Sequence, residues 1–172
     1  MKNKLKLQRY GNMHSAFQPE DYPAVAKIYQ AGIDTQIATF ETEAPDFEAW
    51  DLRFCKVCRL VAEFDNEIVG WAALSLVSKR QVYCGVAEVT VYVAPQHQGK
   101  KIGFQLLEAL IQASEQKGFW TLTAHIFPQN KASIHVHQKL GFRLLGVHEK
   151  IAKRNGKWQD NALLERRSTK IL

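Results

Sequence analysis

The stretch that decides the fold runs from residue 88 to residue 103 and reads EVTVYVAPQHQGKKIG. Its first six residues are mostly β-branched or aromatic, which predicts a strand that stops at Pro95. Two glycines then lead into an apparent helix, whose first backbone N–H groups have no partner inside the helix. Because glycine lets a phosphate approach the backbone closely, the turn predicts a pyrophosphate-binding cradle, with Lys100 and Lys101 adding positive charge.

Taken alone, this turn leaves a purely structural role open as the alternative. It lacks the G-x-x-x-x-G-K-[ST] pattern of nucleoside triphosphate sites and the G-x-G-x-x-G fingerprint of dinucleotide sites. The motif therefore indicates a phosphorylated ligand of another kind, or none.

Helix-like and strand-like segments alternate on both sides of this turn. The predicted helices cover 19–33, 45–57, 102–117 and 130–141. The predicted strands cover 59–64, 68–77, 85–93, 120–127 and 142–147, with two more in 150–167 around Asn155-Gly156. This order predicts one α/β (α+β) domain built around a single sheet.

Composition limits the class of protein without naming its ligand. A chain of 172 residues with 46% apolar residues can bury a core of ordinary size in one globular domain. Its formal net charge of +6 favours an anionic partner, which could be nucleic acid, a phosphorylated cofactor or a small acid.

The cysteines and the apolar runs bear on location. Three cysteines cannot all pair with one another, which suits a reducing compartment. No run is as long or as apolar as a signal-peptide core or a membrane span, so we expect a cytoplasmic protein. Cys55 and Cys58 could be half of a zinc site, but no second pair follows, so we expect no metal.

Two motifs carry a family resemblance. The stretch QGKKIG resembles the Q/R-x-x-G-x-G/A acyl-CoA loop of the GNAT N-acetyltransferase superfamily, with Gln98 and Gly103 at its first and last positions. Lys101 stands where that pattern usually has glycine. The stretch NKASIHVHQKLGF is similar to the superfamily's N-x-x-A/S helix that ends in a K-x-G-F run, with Asn130 and Phe142 in the corresponding places.

Longer stretches resemble the phosphinothricin/methionine sulfoximine N-acetyltransferase branch of that superfamily. They cover residues 28–54, 82–95 and 148–167. The resemblance implies a single-domain GNAT fold over residues 13–172, with a mixed, mostly antiparallel central sheet flanked by helices. Residues 1–12 are then an N-terminal extension that we expect to be disordered. Membership of this branch also implies a homodimer.

The resemblance implies two catalytic residues. Glu88 is the lone carboxylate of an otherwise apolar strand and is the expected general base, either directly or through a water molecule; an edge-facing or salt-bridged glutamate is the alternative. His137 stands where many members have a tyrosine, and is the expected acid for the departing thiolate. Neither His125 nor His135 receives a role.

The resemblance also implies a binding surface for acetyl-CoA. In the superfamily a bulge in this strand exposes peptide groups to the pantetheine arm and the acetyl carbonyl, and the exposed peptide groups map here onto Val91, Tyr92 and Val93. The expected cofactor-binding residues are Val91, Tyr92, Val93, Gln98, Gly99, Lys100, Lys101, Ile102, Gly103 and Asn130.

Substrate residues follow from the same branch. Phosphinothricin-like amino acids carry a carboxylate and a second anionic or polar head, which arginine and hydroxyl donors bind well. Arg80 and Tyr83 precede the catalytic strand and are expected at the substrate. Phe40 is expected to wall the site and Glu41 to meet the substrate ammonium. For all four, ordinary packing or surface charge is the open alternative.

We therefore expect an acetyl-CoA-dependent enzyme that transfers an acetyl group directly to the amino group of a small, phosphinothricin-like or methionine-sulfoximine-like amino acid. One alternative is a GNAT enzyme that acetylates a protein amino terminus or a lysine. The other is a basic module, without catalytic activity, that binds nucleic acid or another anion. The first hypothesis expects no nucleic-acid and no membrane partner.

Overall fold

A computed structural model of the protein describes residues 6–10 and 19–171. These residues form seven strands and four helices. The strands are β1 (Lys6–Tyr10), β2 (Arg59–Phe64), β3 (Glu67–Leu76), β4 (Val86–Val93), β5 (Thr121–Ile126), β6 (Arg143–Arg154) and β7 (Lys157–Arg167). The helices are α1 (Tyr22–Asp34), α2 (Phe47–Arg53), α3 (Ile102–Gln116) and α4 (Lys131–Lys139).

All seven strands belong to one sheet, in the order β1-β2-β3-β4-β5-β7-β6. The pairing of β4 with β5 is parallel, and the other five pairings in the described sheet are antiparallel. The helix α3 makes the crossover that a parallel pair requires. The predicted mixed, mostly antiparallel sheet flanked by helices is therefore confirmed.

The amino terminus differs from the sequence-based expectation. Lys6–Tyr10, which the sequence assigns to a disordered extension, forms strand β1 and pairs antiparallel with β2 along the edge of the sheet. The other residues of the expected extension, 1–5, 11 and 12, lie outside the described residues, as do the first residues of the predicted domain, 13–18.

Two hydrophobic clusters cover the two faces of the sheet, and β4 contributes to both. Ala87 and Val89 of β4 are buried in the cluster beneath α3, where Leu106 is fully buried. Tyr92, on the opposite face, packs against the cluster that includes Tyr29 of α1. The predicted burial of this strand on both faces is confirmed, because its odd and even residues point to opposite sides.

The hairpins follow the turn residues. Asp65 and Asn66 join β2 to β3, and Asn155 and Gly156 join β6 to β7, all four with positive φ as in tight hairpin turns. The sequence predicts separate strands for 142–147 and for the start of 150–167. The structure instead has one strand, β6, whose register against β7 shifts between His148 and Ala152. A local bulge therefore replaces the predicted break.

Within the described chain, no helix has the length and apolar character that crossing a membrane requires.

Candidate active site

The strands β4 and β5 separate halfway along β4. Their parallel pairing consists of Val86 with Thr121, Ala87 with Leu122, and Glu88 with Thr123. Beyond Glu88 the β4 ladder toward β5 has ended, although β4 continues to residue 93. The sheet is therefore open at this point, with Glu88 at the base of the opening.

The alternation of hydrogen bonds decides which peptide groups face the opening. The Ala94 N–H donates to the Val69 carbonyl at 2.8 Å, so even-numbered residues of β4 turn their peptide groups toward β3. The peptide groups of Val91 and Val93 then point the other way, into the opening. The same alternation turns the peptide groups of Tyr92 toward β3, while its side chain stacks on Trp71 with ring centroids 5.3 Å apart.

The bulge that the resemblance implies is absent from the ladder between β3 and β4. The register runs without a shift from the pair Gly70 and Val93 to the pair Leu76 and Ala87. In the described sheet, the separation of β5 from β4 exposes the backbone instead.

The predicted cradle lies at the end of β4. Gly99 has φ of +74° and Lys101 has φ of +63°, so both adopt the left-handed conformation. Lys101 is the N-cap of α3 and its side chain makes no capping hydrogen bond. The first intrahelical bond at this end is donated by the Gln105 N–H to the Lys101 carbonyl at 3.1 Å. The N–H groups of the first turn are therefore directed at the space in front of the helix.

Gly103 connects the cradle to the opening of the sheet. A Cβ built there would lie 3.5 Å from Cγ2 of Val93, in ordinary van der Waals contact. Lys100 points toward Phe64 and His97, with its Nζ 3.4 Å from Nδ1 of His97. Backbone donors, a small residue and positive charge thus lie together at the end of the opening where α3 begins.

The remaining predicted cofactor residues have local structural roles. Gln98 is extended and its N–H donates to the Pro95 carbonyl at 3.2 Å. Ile102 is the first residue of α3, and its side chain is fully buried in the core. Asn130 caps α4, because its Oδ1 accepts a hydrogen bond from the Ser133 N–H at 3.2 Å. The Asn130 amide nitrogen is the group that a contact with the cofactor would use, and that contact stays a prediction.

Glu88 meets a histidine to which the sequence assigns no role. The parallel register sets Glu88 beside Thr123, and His125 follows two residues later on the same face of β5. Nδ1 of His125 lies 3.3 Å from Oε2 of Glu88, and about a third of each side chain is exposed. The hydrogen bond that His125 donates to Glu88 raises the pKa of His125 above its usual value, and burial opposes this change.

Further polar groups surround Glu88 from the helical side. Arg53 of α2 forms a 2.6 Å ion pair with Glu41, so the carboxylate expected to meet the substrate ammonium already has a partner. Burial raises the pKa of Tyr29, and the charges of Arg53, Glu41 and Glu88 act on the same hydroxyl. Tyr29, Arg53, Glu41 and Glu88 therefore lie within electrostatic reach of one another.

Phe40 packs close to the end of β5. Its ring packs edge-on against Phe127, just beyond the end of β5, with centroids 4.7 Å apart. Arg154, at the end of β6, donates from Nη2 to the Ile33 carbonyl at 3.0 Å and to the Glu41 carbonyl at 3.4 Å. The buried Arg154 thus fixes the segment that carries Phe40 and Glu41.

Arg80 and Tyr83 lie on the exposed loop that enters β4. The guanidinium carbon of Arg80 lies 5.6 Å from the centre of the Tyr83 ring, a cation–π contact. Both side chains are exposed at the end of β4 nearer to Glu88. Their contact with a substrate stays a prediction.

His137 is held in the core rather than beside Glu88. It is 6% exposed and packs edge-on against Phe142. Nδ1 lies 2.8 Å from the Ser133 carbonyl oxygen, which can only accept, so Nδ1 carries the proton and Nε2 does not. Burial lowers the pKa of His137. Both features oppose the expected role as acid for the thiolate, and that role stays a prediction.

In the part of the chain that the structure describes, no three histidine, cysteine, aspartate or glutamate side chains are grouped to hold a metal ion.

The residues that sequence reasoning missed are His125, Arg53 and Tyr29. Arg53 and Tyr29 read as ordinary positions of amphipathic helices, and no local signal separates them from their neighbours. His125 could have been found from strand alternation, because it stands two residues after the residue that pairs with Glu88. That pairing, however, depends on a parallel register that the sequence does not specify.

A solved structure has the same fold and contains the expected co-substrate. The GNAT superfamily phosphinothricin acetyltransferase from Sinorhizobium meliloti, in complex with acetyl-CoA, superposes with a TM-score of 0.83 at 27% sequence identity. The match covers 95% of this chain and 88% of that chain. It confirms the predicted single-domain α/β fold.

The sequence comparisons give the family. Residues 24–142 match the model of the acetyltransferase (GNAT) family. The phosphinothricin N-acetyltransferase of Alcaligenes faecalis is 33% identical over 153 residues, covering 86% of this chain and 78% of that protein. The L-methionine sulfoximine/L-methionine sulfone acetyltransferase of Pseudomonas paraeruginosa is 28% identical over 151 residues, covering 84% and 88%. These matches confirm the prediction of an N-acetyltransferase enzyme: the chain belongs to the GNAT family of acetyltransferases.

Proposed function

We propose that this protein transfers the acetyl group of acetyl-CoA directly to the amino group of a small amino acid of the phosphinothricin or methionine sulfoximine type. The observation that carries the proposal is the end of the β4–β5 ladder at Glu88. It leaves one carboxylate, a row of unpaired peptide groups and an uncapped helix terminus along a single opening. The names of the relatives supply the class of substrate.

The pyrophosphate of acetyl-CoA binds at the start of α3, where the helix dipole and the N–H groups of its first turn favour an anion. The pantetheine arm then enters the opening beside β4 and pairs with the peptide groups of Val91 and Val93. Lys100 and Lys101 contribute charge at the phosphates. The thioester carbonyl lies near Glu88, and a backbone N–H stabilises the negative charge that develops on its oxygen.

Attack on the thioester requires an unprotonated amine. Glu88 accepts a proton from the substrate ammonium, the amine nitrogen attacks the carbonyl carbon, and the C–S bond breaks as the thiolate leaves. The nitrogen then loses its second proton as the amide forms, and the thiolate gains one. Holding both reactants in one opening lowers the barrier further, because the reaction no longer waits for an encounter in the correct orientation.

The substrate lies on the face of the sheet that carries Glu88, beneath the segment fixed by Arg154. Phe40 provides an apolar wall, and Arg80 with the Tyr83 hydroxyl binds the carboxylate or the anionic head of the substrate. Arg53 is a second cation within electrostatic reach of Glu88. Its ion pair with Glu41 leaves it partly exposed to a second anionic group.

We also propose that the protein is a cytoplasmic homodimer. The outer edge strand β6 exposes four large apolar side chains, which supports a protein interface there. These side chains are Leu144, Leu145, Val147 and Ile151. Cys55 and Cys84 are free thiols, which supports a reducing compartment. Sedimentation of a monomer at micromolar concentration would contradict the dimer.

Two measurements on the purified protein test the proposed function. Acetyl-CoA should raise the unfolding temperature with a concentration dependence that follows RT ln(1 + [L]/Kd). A panel of amino acids with acetyl-CoA should release free thiol fastest with phosphinothricin-like or methionine-sulfoximine-like members. No thermal shift at millimolar acetyl-CoA would reject the cofactor site. Faster release with peptide amino termini or lysine would reject the substrate class.

A further inference from the structure

His125 is a titratable group that the proposed mechanism does not use, and it contacts Glu88, the proposed base. It stands on β5 directly across the opening from the second half of β4. Its Nδ1 is 3.3 Å from Oε2 of Glu88. The carboxylate can only accept a hydrogen bond, so the neutral imidazole carries its proton on Nδ1 and leaves Nε2 as an acceptor.

We propose that His125 is a catalytic residue and that its Nε2 receives the proton of the substrate ammonium, while Nδ1–H remains bonded to Glu88. This inference rests on the proposed function and changes one part of it. The general base is then the pair of His125 and Glu88, in which Glu88 orients the imidazole ring and balances the charge of the imidazolium.

The placement of His125 distinguishes it from His137, the histidine that the motif selects. His137 is the buried residue of α4 and donates its Nδ1 proton to a backbone carbonyl. His125 is 38% exposed at the mouth of the opening, where an amine bound next to the thioester can reach the ring. Exposure and the bond to Glu88 together give His125 both access and orientation.

The charges around His125 favour this role. From β4 it faces Glu88. On β7 it pairs with Leu163. Glu165, two residues further along β7, pairs with Thr123 and accepts a hydrogen bond from Arg143 at 2.7 Å. Glu88 is the charged group that acts on the pKa of His125 and raises it. The imidazolium formed by proton transfer is therefore stabilised where the carboxylate holds it.

The proton balance is complete without another reactant. The substrate ammonium gives one proton to Nε2, and the free amine attacks the thioester carbon. The C–S bond breaks, the second proton on nitrogen passes to the thiolate, and the imidazolium releases its proton to solvent. One acetylated amine, one thiol and one proton leave the site in each cycle.

The test is His125→Asn, with His135→Asn as the matched control on the exposed surface of α4. An asparagine amide places an N–H where Nδ1 was, so it keeps the bond to Glu88 but offers no acceptor at the position of Nε2. We expect kcat/KM at pH 7 to fall about 100- to 10,000-fold, the usual range for a lost general base, with unchanged acetyl-CoA affinity. The control should match the wild type.

The pH profile separates catalysis from positioning. In the wild type kcat/KM should reach a plateau above the pKa of His125, because the base is then free. In His125→Asn it should keep rising with pH until the substrate amine itself deprotonates. Wild-type activity in His125→Asn would overturn this inference and leave Glu88 as the base. Wild-type protein that acetylates no amine would instead remove the proposed function, and this inference with it.

Discussion

Replacing Lys101 by glycine should stabilise the protein in the absence of acetyl-CoA. Lys101 has φ of +63° at the N-cap of α3, and its side chain makes no capping bond. A non-glycine residue in this conformation costs roughly 1–2 kcal/mol. The greater conformational freedom of glycine in the unfolded chain offsets part of this gain, by roughly 0.5–1 kcal/mol. The expected gain is therefore about 0.5–1 kcal/mol, or about 1–4 °C in Tm for a chain of this length.

Lys100→Gly is the control, because it removes the same charge from the same turn. Lys100 does not have a positive φ, so glycine relieves no backbone strain there. It also loses the contacts of Lys100 with His97 and Phe64. Tm of Lys100→Gly should fall while that of Lys101→Gly rises, as measured by calorimetry without ligand. A lower Tm in both variants, or the same Tm in both, would refute the left-handed conformation at position 101.

Three further predictions concern the cradle, the substrate segment and the buried histidine. Gly103→Asp should fold, because a Cβ there meets only Val93 at 3.5 Å. It should weaken acetyl-CoA binding at least tenfold in calorimetric titration, because it sets a carboxylate against the phosphates; unchanged affinity would reject the cradle. Arg154→Met should reduce the free energy of unfolding by about 2–3 kcal/mol, measured in urea, because it removes charged hydrogen bonds to two carbonyls; an unchanged denaturation midpoint would contradict this. Because burial lowers the pKa of His137, the unfolded chain binds a proton on this side chain more readily than the folded chain. The free energy of unfolding should therefore fall as pH drops below 6.5, and in His137→Leu it should fall less over the same interval.

The parts of the fold that local chemistry determines were predictable from the sequence. Pro95 and the glycines of the turn end β4 and start α3, and Asn155-Gly156 closes the last hairpin. The break predicted after residue 147 was wrong, because β6 absorbs it as a bulge near Lys150, which has positive φ. A bulge needs only one residue in an unusual conformation, and lysine gives no local sign of it.

The candidate site was only partly predictable, because its groups meet through long-range pairing. Glu88 stood out as a carboxylate in an apolar strand. Its contact with His125 depends on the parallel register of β4 and β5, which are separated in sequence by the whole of α3. The same register decides where the ladder ends, and thus which peptide groups face the opening. The motif instead selected His137, whose buried position follows from the packing of α4.

The most direct test of the account compares Glu88→Gln with the wild type in acetyl-CoA affinity and in kcat/KM as a function of pH. Glutamine keeps the shape of the side chain and removes the charge, so acetyl-CoA should bind within about twofold of wild type while kcat/KM at pH 7 falls about 100- to 10,000-fold. The deficit should shrink as pH approaches the pKa of the substrate amine. Glu165→Gln, already paired with Arg143 in the wild type, is the matched control and should keep full turnover. A small deficit that is equal at every pH, or lower stability with intact turnover per folded molecule, would contradict a catalytic Glu88.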